Sequence, residues 1–296
     1  MLERDGYIPG VPCWVDTSQP DPEAAVAFYS GLFGWQLEDA MPPDAPGHYF
    51  AARLRGGDVA AIASLPEGAP ERATWNTYVW VESADETAAK VRDAGGRVLT
   101  DPFDVMEAGR MAVCMDPEGA VFCLWQANRH KGAQIVNEPG SLNFNTLGTG
   151  DVEAAKAFYG SVFGWETLDL GGGARMWRLP GYGEFLEQRD PGLLERMAGS
   201  GAPEGFADVV AALGPIADDQ PGPGAHWSVT FAVDDADATA ERAVELGGRV
   251  DVPPFDAPWV RMTVITDPQG ATFTASKFVP ENRNVHSQAE STVRAA

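Results

Sequence analysis

The sequence predicts an α+β protein built from two similar domains in tandem. Three observations support this prediction. The chain has 296 residues, enough for about two domains. A long block of residues returns 130 positions later, and each copy alternates short apolar strands with amphipathic helices. Because the repeating unit is as long as a domain, the pattern indicates a duplication and not a short-period solenoid.

The repeat consists of two blocks with different offsets. Between 21–39 and 151–169, 11 of 19 positions are identical. The second block, 75–98, returns as 227–250, an offset of 152 residues instead of 130. The second copy therefore holds 22 additional residues, which we place near 186–224.

Each copy is predicted to contain two βαβββ modules. In the first copy, a strand at 13–17 precedes Asp21 and Pro22, which suit the N-cap and first position of a helix. A second helix is predicted to start after Ser83 and to end at the Gly95-Gly96 pair. The Asp116-Pro117-Glu118-Gly119 segment predicts the hairpin turn before the last strand.

These patterns give the predicted domain boundaries. The first domain is expected at 8–128, a linker at 129–141 and the second domain at 142–279, followed by a disordered tail at 280–296. Within the insertion, 190–197 and 203–210 are predicted to form short helices. They are expected either to cover the mouth of a pocket or to decorate the surface, since long surface insertions cost little.

Composition narrows the classes of partner. The net charge of −22 repels phosphate backbones and anionic lipids, so neither nucleic acid nor a membrane is an expected partner. The sequence has no predicted transmembrane helix or secretory signal, which favours a cytoplasmic protein. Three cysteines without CxxC spacing favour neither a disulfide framework nor a zinc ribbon. The expected state is a monomer with two paired domains or a homodimer.

Several motifs occur twice and in the same order: Phe-Tyr-x-x-(Leu/Val)-Phe-Gly-Trp, then Gly-Gly-x-Val, then Asp-Pro-x-Gly. They resemble the vicinal-oxygen-chelate superfamily of glyoxalases, bleomycin resistance proteins and extradiol dioxygenases, over 8–128 and 138–279. The resemblance implies that each pair of modules forms a curled mixed sheet around a cavity. The segments 75–78, 109–111 and 124–130 are similar to a tandem actinobacterial subgroup. That subgroup includes a mycobacterial culture-filtrate antigen and proteins of antibiotic clusters labelled hydroxylases.

Metal-using members of the family hold a divalent ion through three positions in each domain. The resemblance places these positions at Trp14, Asn76 and Cys123 in the first copy, and at Phe144, Ser228 and Thr274 in the second. A one-residue shift would replace Trp14 and Phe144 with Cys13 and Asn143. Neither alignment gives a His or carboxylate set, so we expect no metal and no other cofactor.

The positions that remain predict a ligand-binding cavity. Strand alternation places Trp14 with Asp16, Asn76 with Tyr78 and Trp80, and Cys123 with Trp125. The corresponding positions of the second copy are Phe144, Thr146, Ser228 and Thr274. Apart from Phe144, these residues are smaller and bear hydroxyl groups. Arg110 is the expected partner of Asp16, either as a structural ion pair or beside a ligand. The same aromatic residues could also simply fill the core.

Three functions remain open from the sequence. The first is metal-independent binding of a small aromatic or hydrophobic molecule, for resistance, sequestration or metabolite handling. The second is an enzyme of glyoxalase-like lyase, hydroxylase or dioxygenase type, for which Asp16, Tyr78 and Cys123 are the candidate catalytic residues. The third is a structural or antigen-like protein with vestigial pockets. Some relatives exchange modules between domains. Pockets could then combine the first-strand residues of one copy with the remaining positions of the other.

Overall fold

The computed structural model describes residues 4–68, 71–170, 175–216 and 224–285. Within these ranges, no helix is both long and apolar enough to cross a membrane. Part of the predicted insertion, 217–223, and most of the predicted tail, 286–296, lie outside the described residues.

The first copy folds as two βαβββ modules, as the sequence predicts. Its elements are β1 (Pro12–Gln19), α1 (Pro22–Phe33), β2 (Gln36–Asp39), β3 (Tyr49–Leu54), β4 (Gly57–Ser64), β5 (Thr74–Trp80), α2 (Ala84–Asp93), β6 (Arg97–Val105), β7 (Gly109–Met115) and β8 (Val121–Ala127).

The second copy repeats this order and adds two helices. Its elements are β9 (Leu142–Thr149), α3 (Val152–Phe163), β10 (Glu166–Asp169), β11 (Arg175–Arg178), α4 (Tyr182–Arg189), α5 (Leu193–Gly199), β12 (Val209–Pro215), β13 (His226–Ala232), α6 (Ala236–Glu245), β14 (Arg249–Ala257), β15 (Val260–Thr266) and β16 (Thr272–Phe278). Short 3₁₀ turns lie at Phe206–Asp208 and Pro280–Asn284.

The predicted helix starts are confirmed by side-chain caps. The carboxylate of Asp21 accepts a hydrogen bond from the backbone N–H of Ala24 at 3.0 Å, and Asp151 accepts one from Ala154 at 2.9 Å. The hydroxyl of Ser83 accepts from the N–H of Glu86 at 3.2 Å. Each bond satisfies a backbone donor that has no partner within the helix, which fixes the helix start.

The insertion differs from its prediction. A helix forms at Leu193–Gly199, near the predicted 190–197. In the predicted 203–210 helix, only a 3₁₀ turn forms at Phe206–Asp208, and strand β12 begins at Val209. Residue Ala212 of this strand pairs with Thr146 of β9, so sheet pairing outweighs the local helical pattern. Helix α4 was not predicted; it starts at Tyr182, which is buried.

Each hydrogen-bonded sheet takes all eight strands from one copy. The strand order is β2, β3, β4, β1, β5, β8, β7, β6 in the first sheet and β10, β11, β12, β9, β13, β16, β15, β14 in the second. Each sheet runs from one edge strand to another, so neither closes into a barrel. The sequence left open whether modules are exchanged between the copies. In the hydrogen-bonded sheets, the first strands stay with their own copy.

The compact units of the fold do combine modules from both copies. Unit 1 contains Met1–Trp14, Asn76–Gln134 and Phe144–Trp227. Unit 2 contains Val15–Trp75, Ile135–Asn143 and Ser228–Ala296. Each unit thus packs the second module of one copy against the first module of the other.

The repeated motifs explain this packing. In unit 2, the phenol of Tyr29 donates to Asp267 of the Asp-Pro-Gln-Gly turn at 2.9 Å, across 238 residues of sequence. In unit 1, Tyr159 donates to Asp116 of the matching turn at 3.0 Å. Both tyrosines and both aspartates are buried. The Phe-Tyr and Asp-Pro-x-Gly motifs therefore hold modules of different copies together.

These buried tyrosines predict a loss of stability at high pH. Burial, together with the Asp267 carboxylate, raises the pKa of Tyr29 well above its usual value, and burial beside Asp116 does the same for the pKa of Tyr159. A raised folded-state pKa contributes stability that is complete below about pH 10 and declines as the pH rises above it. We expect the free energy of unfolding to fall by about 1.4 kcal/mol per pH unit for each tyrosine above pH 10.

The measurement is urea unfolding between pH 8 and pH 11. The double variant Tyr29→Phe and Tyr159→Phe cannot ionise at these positions, so its stability should depend less steeply on pH. An equally steep dependence in the double variant would contradict this assignment.

Candidate functional site

The three family metal positions of the first copy carry side chains that do not fit a divalent ion. Trp14 in β1 has no atom that can coordinate a metal, and its side chain is 2% exposed. Its ring packs edge-on against the imidazole of His130, with ring centroids 4.3 Å apart. Asn76 and Cys123 supply an amide and a thiol. A catalytic divalent site needs three His, carboxylate or thiolate ligands. Among the described residues, no group of three such side chains could hold a metal ion.

The second copy fits a metal no better. Phe144, Ser228 and Thr274 provide an aromatic ring and two hydroxyls. Phe144 and Thr146 belong to unit 1, whereas Ser228 and Thr274 belong to unit 2. All four side chains are partly exposed.

An aromatic face covers part of unit 1. In β5 and β8, Tyr78 is the register partner of Cys123, and Trp80 is the partner of Trp125. Tyr78 and Trp125 also contact each other edge to face, with ring centroids 6.3 Å apart. Because paired residues lie on one side of a sheet, the predicted sharing of a face between these strands is confirmed. We refer to Trp14, Tyr78, Trp80 and Trp125 as the aromatic site.

The opposite face of these strands packs against helices. The ring of Phe122 contacts Tyr159 of α3 at 5.9 Å, and the amide oxygen of Gln126 accepts from the N–H of Ala84 at the start of α2. Phe122 and Gln126 alternate with Cys123 and Trp125 along the strand. The aromatic site is therefore on the side of the sheet away from these helices.

Arg110 lies on the helix side, so its predicted place at the ligand face is wrong. Its register partners are Gln126 and Asp104. Its guanidinium donates to both carboxylate oxygens of Asp85 at 2.8 and 3.0 Å and to Asp104 at 3.0 Å. These bonds hold the pKa of the Asp85 carboxyl below its usual value. Arg261 repeats this arrangement with Asp237 and Asp256 in the second copy.

Asp16 lies in unit 2 and is 3% exposed. The predicted pairing of Asp16 with Arg110 is wrong, because the phenol of Tyr49 donates to Asp16 at 3.3 Å and Arg110 is bound elsewhere. A buried carboxyl requires such a partner. The sequence did not identify Tyr49, which lies on β3 at a position that only the strand order brings near Asp16.

His130 packs against the aromatic site, and the sequence did not identify it as a site residue. Its ring lies edge-on to both Trp14 and Trp125, with centroids 4.3 and 5.6 Å away. The indole N–H of Trp125 also donates to the backbone carbonyl of His130 at 3.1 Å. The sequence feature that could have indicated His130 is its position five residues after Trp125, just past the last strand of the copy.

The N-terminal segment covers the other end of this site. The ring of Tyr7 lies 6.0 Å from that of Trp80, and its phenol donates to the carbonyl of Ala133 at 2.6 Å. Burial raises the pKa of Tyr7. Arg4 in turn donates to the phenol of Tyr182 at 2.6 Å, which ties the segment to helix α4 of the insertion.

The equivalent face of the second copy has a different chemistry. In unit 2, Thr230 pairs with Thr274, and Ala232 pairs with Ser276. These are the positions of Tyr78, Cys123, Trp80 and Trp125 in the first copy. One face is therefore aromatic and the other is small and hydroxyl-bearing, as the sequence indicated.

Comparisons with known proteins agree with this architecture. A family model described as the glyoxalase/bleomycin resistance protein/dioxygenase superfamily matches residues 140–274, and a glyoxalase-like domain model matches 14–125. "Putative glyoxylase CFP32" of Mycobacterium tuberculosis is 41% identical over 95% of this chain and 100% of its own length. The anthracycline biosynthesis protein DnrV of Streptomyces peucetius is 35% identical, over 90% of this chain and 93% of its own.

The fold is also found among solved structures. The Mn(II)-bound glyoxalase from Novosphingobium aromaticivorans superposes with a TM-score of 0.57 at 18% identity. The match covers 94% of this chain and 83% of that protein. At this identity the similarity shows the fold alone.

Proposed function

The chain belongs to the glyoxalase/bleomycin resistance protein/dioxygenase superfamily, and we propose that it binds a planar aromatic molecule at the aromatic site without a metal ion. The observation that carries the proposal is the replacement of the family's metal positions by Trp14, Asn76 and Cys123, next to Tyr78 and Trp125. Indole and phenol rings bind flat organic ligands through stacking and edge contacts, and they cannot replace a Lewis acid.

The relatives support an aromatic ligand. DnrV and DauV, at 35% and 34% identity, are named for the biosynthesis of anthracyclines, which are compounds with fused planar rings. At the paired positions of β5 and β8, the first copy has Tyr78, Trp80 and Trp125, where the second copy has Thr230, Ala232 and Ser276. The proposal therefore assigns binding to the first copy. The hydroxyl-bearing second copy then has a supporting role.

The test is a tryptophan-fluorescence titration with 1,4-dihydroxyanthraquinone, with and without EDTA. We expect saturable binding that EDTA leaves unchanged. Trp125→Ala should weaken binding about tenfold or more, because each aromatic contact contributes on the order of 1 kcal/mol beyond the area buried. Ser276→Ala, at the matching position of the second copy, is the control and should leave the affinity unchanged.

Two results would contradict the proposal. One is a stoichiometric metal in the purified protein whose removal abolishes binding. The other is a larger loss of affinity in Ser276→Ala than in Trp125→Ala.

A second candidate function is a glyoxalase-type lyase, favoured by the name of the 41% identical relative. Its acid–base groups in unit 1 would be Tyr78 and Cys123. Asp16, the third candidate from the sequence, lies in unit 2 and accepts a hydrogen bond from Tyr49. Turnover of the hemithioacetal of methylglyoxal would distinguish this function from binding alone. Activity that is lost in Tyr78→Phe, with ligand affinity retained, would favour the enzyme.

A further inference from the structure

The imidazole of His130 occupies a defined place within the aromatic site. It contacts two indoles, with its plane turned 80° from that of Trp14 and 70° from that of Trp125. Both indoles are almost fully buried, at 2% and 5% exposure, whereas His130 itself is partly exposed. We call the place that the imidazole occupies beside these two indoles the ring slot.

The backbone around His130 is fixed independently of its ring. The N–H groups of Asn128 and His130 both donate to the carbonyl of Ala108, at 2.9 and 3.0 Å. Further along, the N–H of Ala133 donates to the carbonyl of Cys13 at 2.8 Å. Since the segment is held on both sides of His130, the imidazole can leave the slot by side-chain rotation while the backbone stays in place.

The second copy lacks the elements of a ring slot. In the sequence repeat, Phe144 corresponds to Trp14. In the paired strands Ser276 corresponds to Trp125, and five residues further along Glu281 corresponds to His130. Two of the three aromatic groups are thus absent from the second copy. The slot is therefore a particular feature of the first copy and not a general consequence of the fold.

Resting on the proposed function, we infer that the imidazole of His130 occupies the place of one planar ring of the ligand, and that the ligand binds by displacing it. The slot holds a five-membered ring in edge-to-face contact with both indoles, a geometry that an aryl ring of a ligand also prefers. Displacement exchanges one edge-to-face contact for another, so His130 lowers the apparent affinity by competing for the slot.

The first experiment probes the slot without the unidentified ligand. His130→Ala should leave a space lined by Trp14 and Trp125 that a small planar molecule can fill, as engineered apolar cavities do. Millimolar imidazole is expected to raise the Tm of His130→Ala by about 2–4 °C and to leave that of the wild type unchanged. Lys131→Ala, at the exposed neighbouring position, is the control and should behave like the wild type. No rise specific to His130→Ala would overturn the inference.

The second experiment measures affinity for 1,4-dihydroxyanthraquinone. His130→Ala is expected to bind it about tenfold more tightly than the wild type, because the competing ring is gone. Unchanged or weaker binding by His130→Ala, with the wild type still binding, overturns the inference and leaves the proposed function standing. If neither protein binds the anthraquinone while imidazole still stabilises His130→Ala, the ring slot is supported and the proposed ligand is wrong.

Discussion

Replacing Asp267 with alanine is expected to lower the free energy of unfolding by about 3–5 kcal/mol. The carboxylate is 4% exposed and accepts four hydrogen bonds. Tyr29 and Gln19 donate to one oxygen at 2.9 and 2.7 Å, and the N–H groups of Gln269 and Ala271 donate to the other at 2.9 Å each. Alanine would leave the buried donors of Tyr29, Gln19 and Ala271, and the part-buried N–H of Gln269, without this acceptor. Leaving buried donors unpaired costs more than the bonds contribute when they are made.

Urea unfolding followed by far-ultraviolet circular dichroism measures this loss. Asp116→Ala is the matched variant in unit 1, because Asp116 accepts from Tyr159 and from three turn N–H groups. Asp101→Ala is the control, since its side chain is 82% exposed in an ion pair with Arg92 and should change stability by less than about 0.5 kcal/mol. A loss below about 1 kcal/mol for Asp267→Ala would show that the turn does not hold the modules together.

The sequence predicted the parts of the fold that depend on local chemistry. Asp21 and Ser83 cap the helices that they were expected to start, and Asp151 caps the matching helix of the second copy, because capping involves only the next two or three residues. The strand faces followed from alternation, so Tyr78, Cys123 and Trp125 were correctly placed together.

Features that depend on long-range pairing could not be predicted in this way. The Tyr29–Asp267 bond joins residues 238 positions apart, and no local pattern marks either residue as the partner of the other. Arg110 was misplaced for a related reason. Arg110 pairs with Asp104 of β6 and Gln126 of β8, and this pairing decides on which face of the sheet its side chain lies. The sequence does not reveal which residues of these strands pair.

The aromatic site shows both cases at once. Trp14 and Trp125 follow from alternation within strands, whereas His130 comes from the irregular segment after β8, where no periodicity indicates direction. Residues outside the strands thus complete a site that the strand pattern only outlines. The geometry of the 128–134 segment is therefore as important for the site as the sheet itself.

The substitution Gly132→Ala tests the geometry of the 128–134 segment. After Asp267→Ala, it is expected to cause the second largest loss in the free energy of unfolding. Gly132 has a φ of +80°, which an L-residue adopts at a cost of roughly 1–2 kcal/mol. A Cβ at this position would also lie 2.6 Å from the carbonyl oxygen of Cys13 and 3.0 Å from the ring of Tyr7. The first of these contacts is with backbone, so relief requires the segment to move, which adds about 1–3 kcal/mol.

The matched control is Gly95→Ala, where φ is +89° and an added Cβ meets nothing within 4 Å. It carries the backbone strain without the collision, so the difference in unfolding free energy between the two variants isolates the collision. Because the moving segment carries His130, Gly132→Ala should also change the fluorescence of Trp14 and Trp125, and Gly95→Ala should not. Equal stability loss and unchanged fluorescence in both variants would show that 128–134 does not hold His130 against the two indoles.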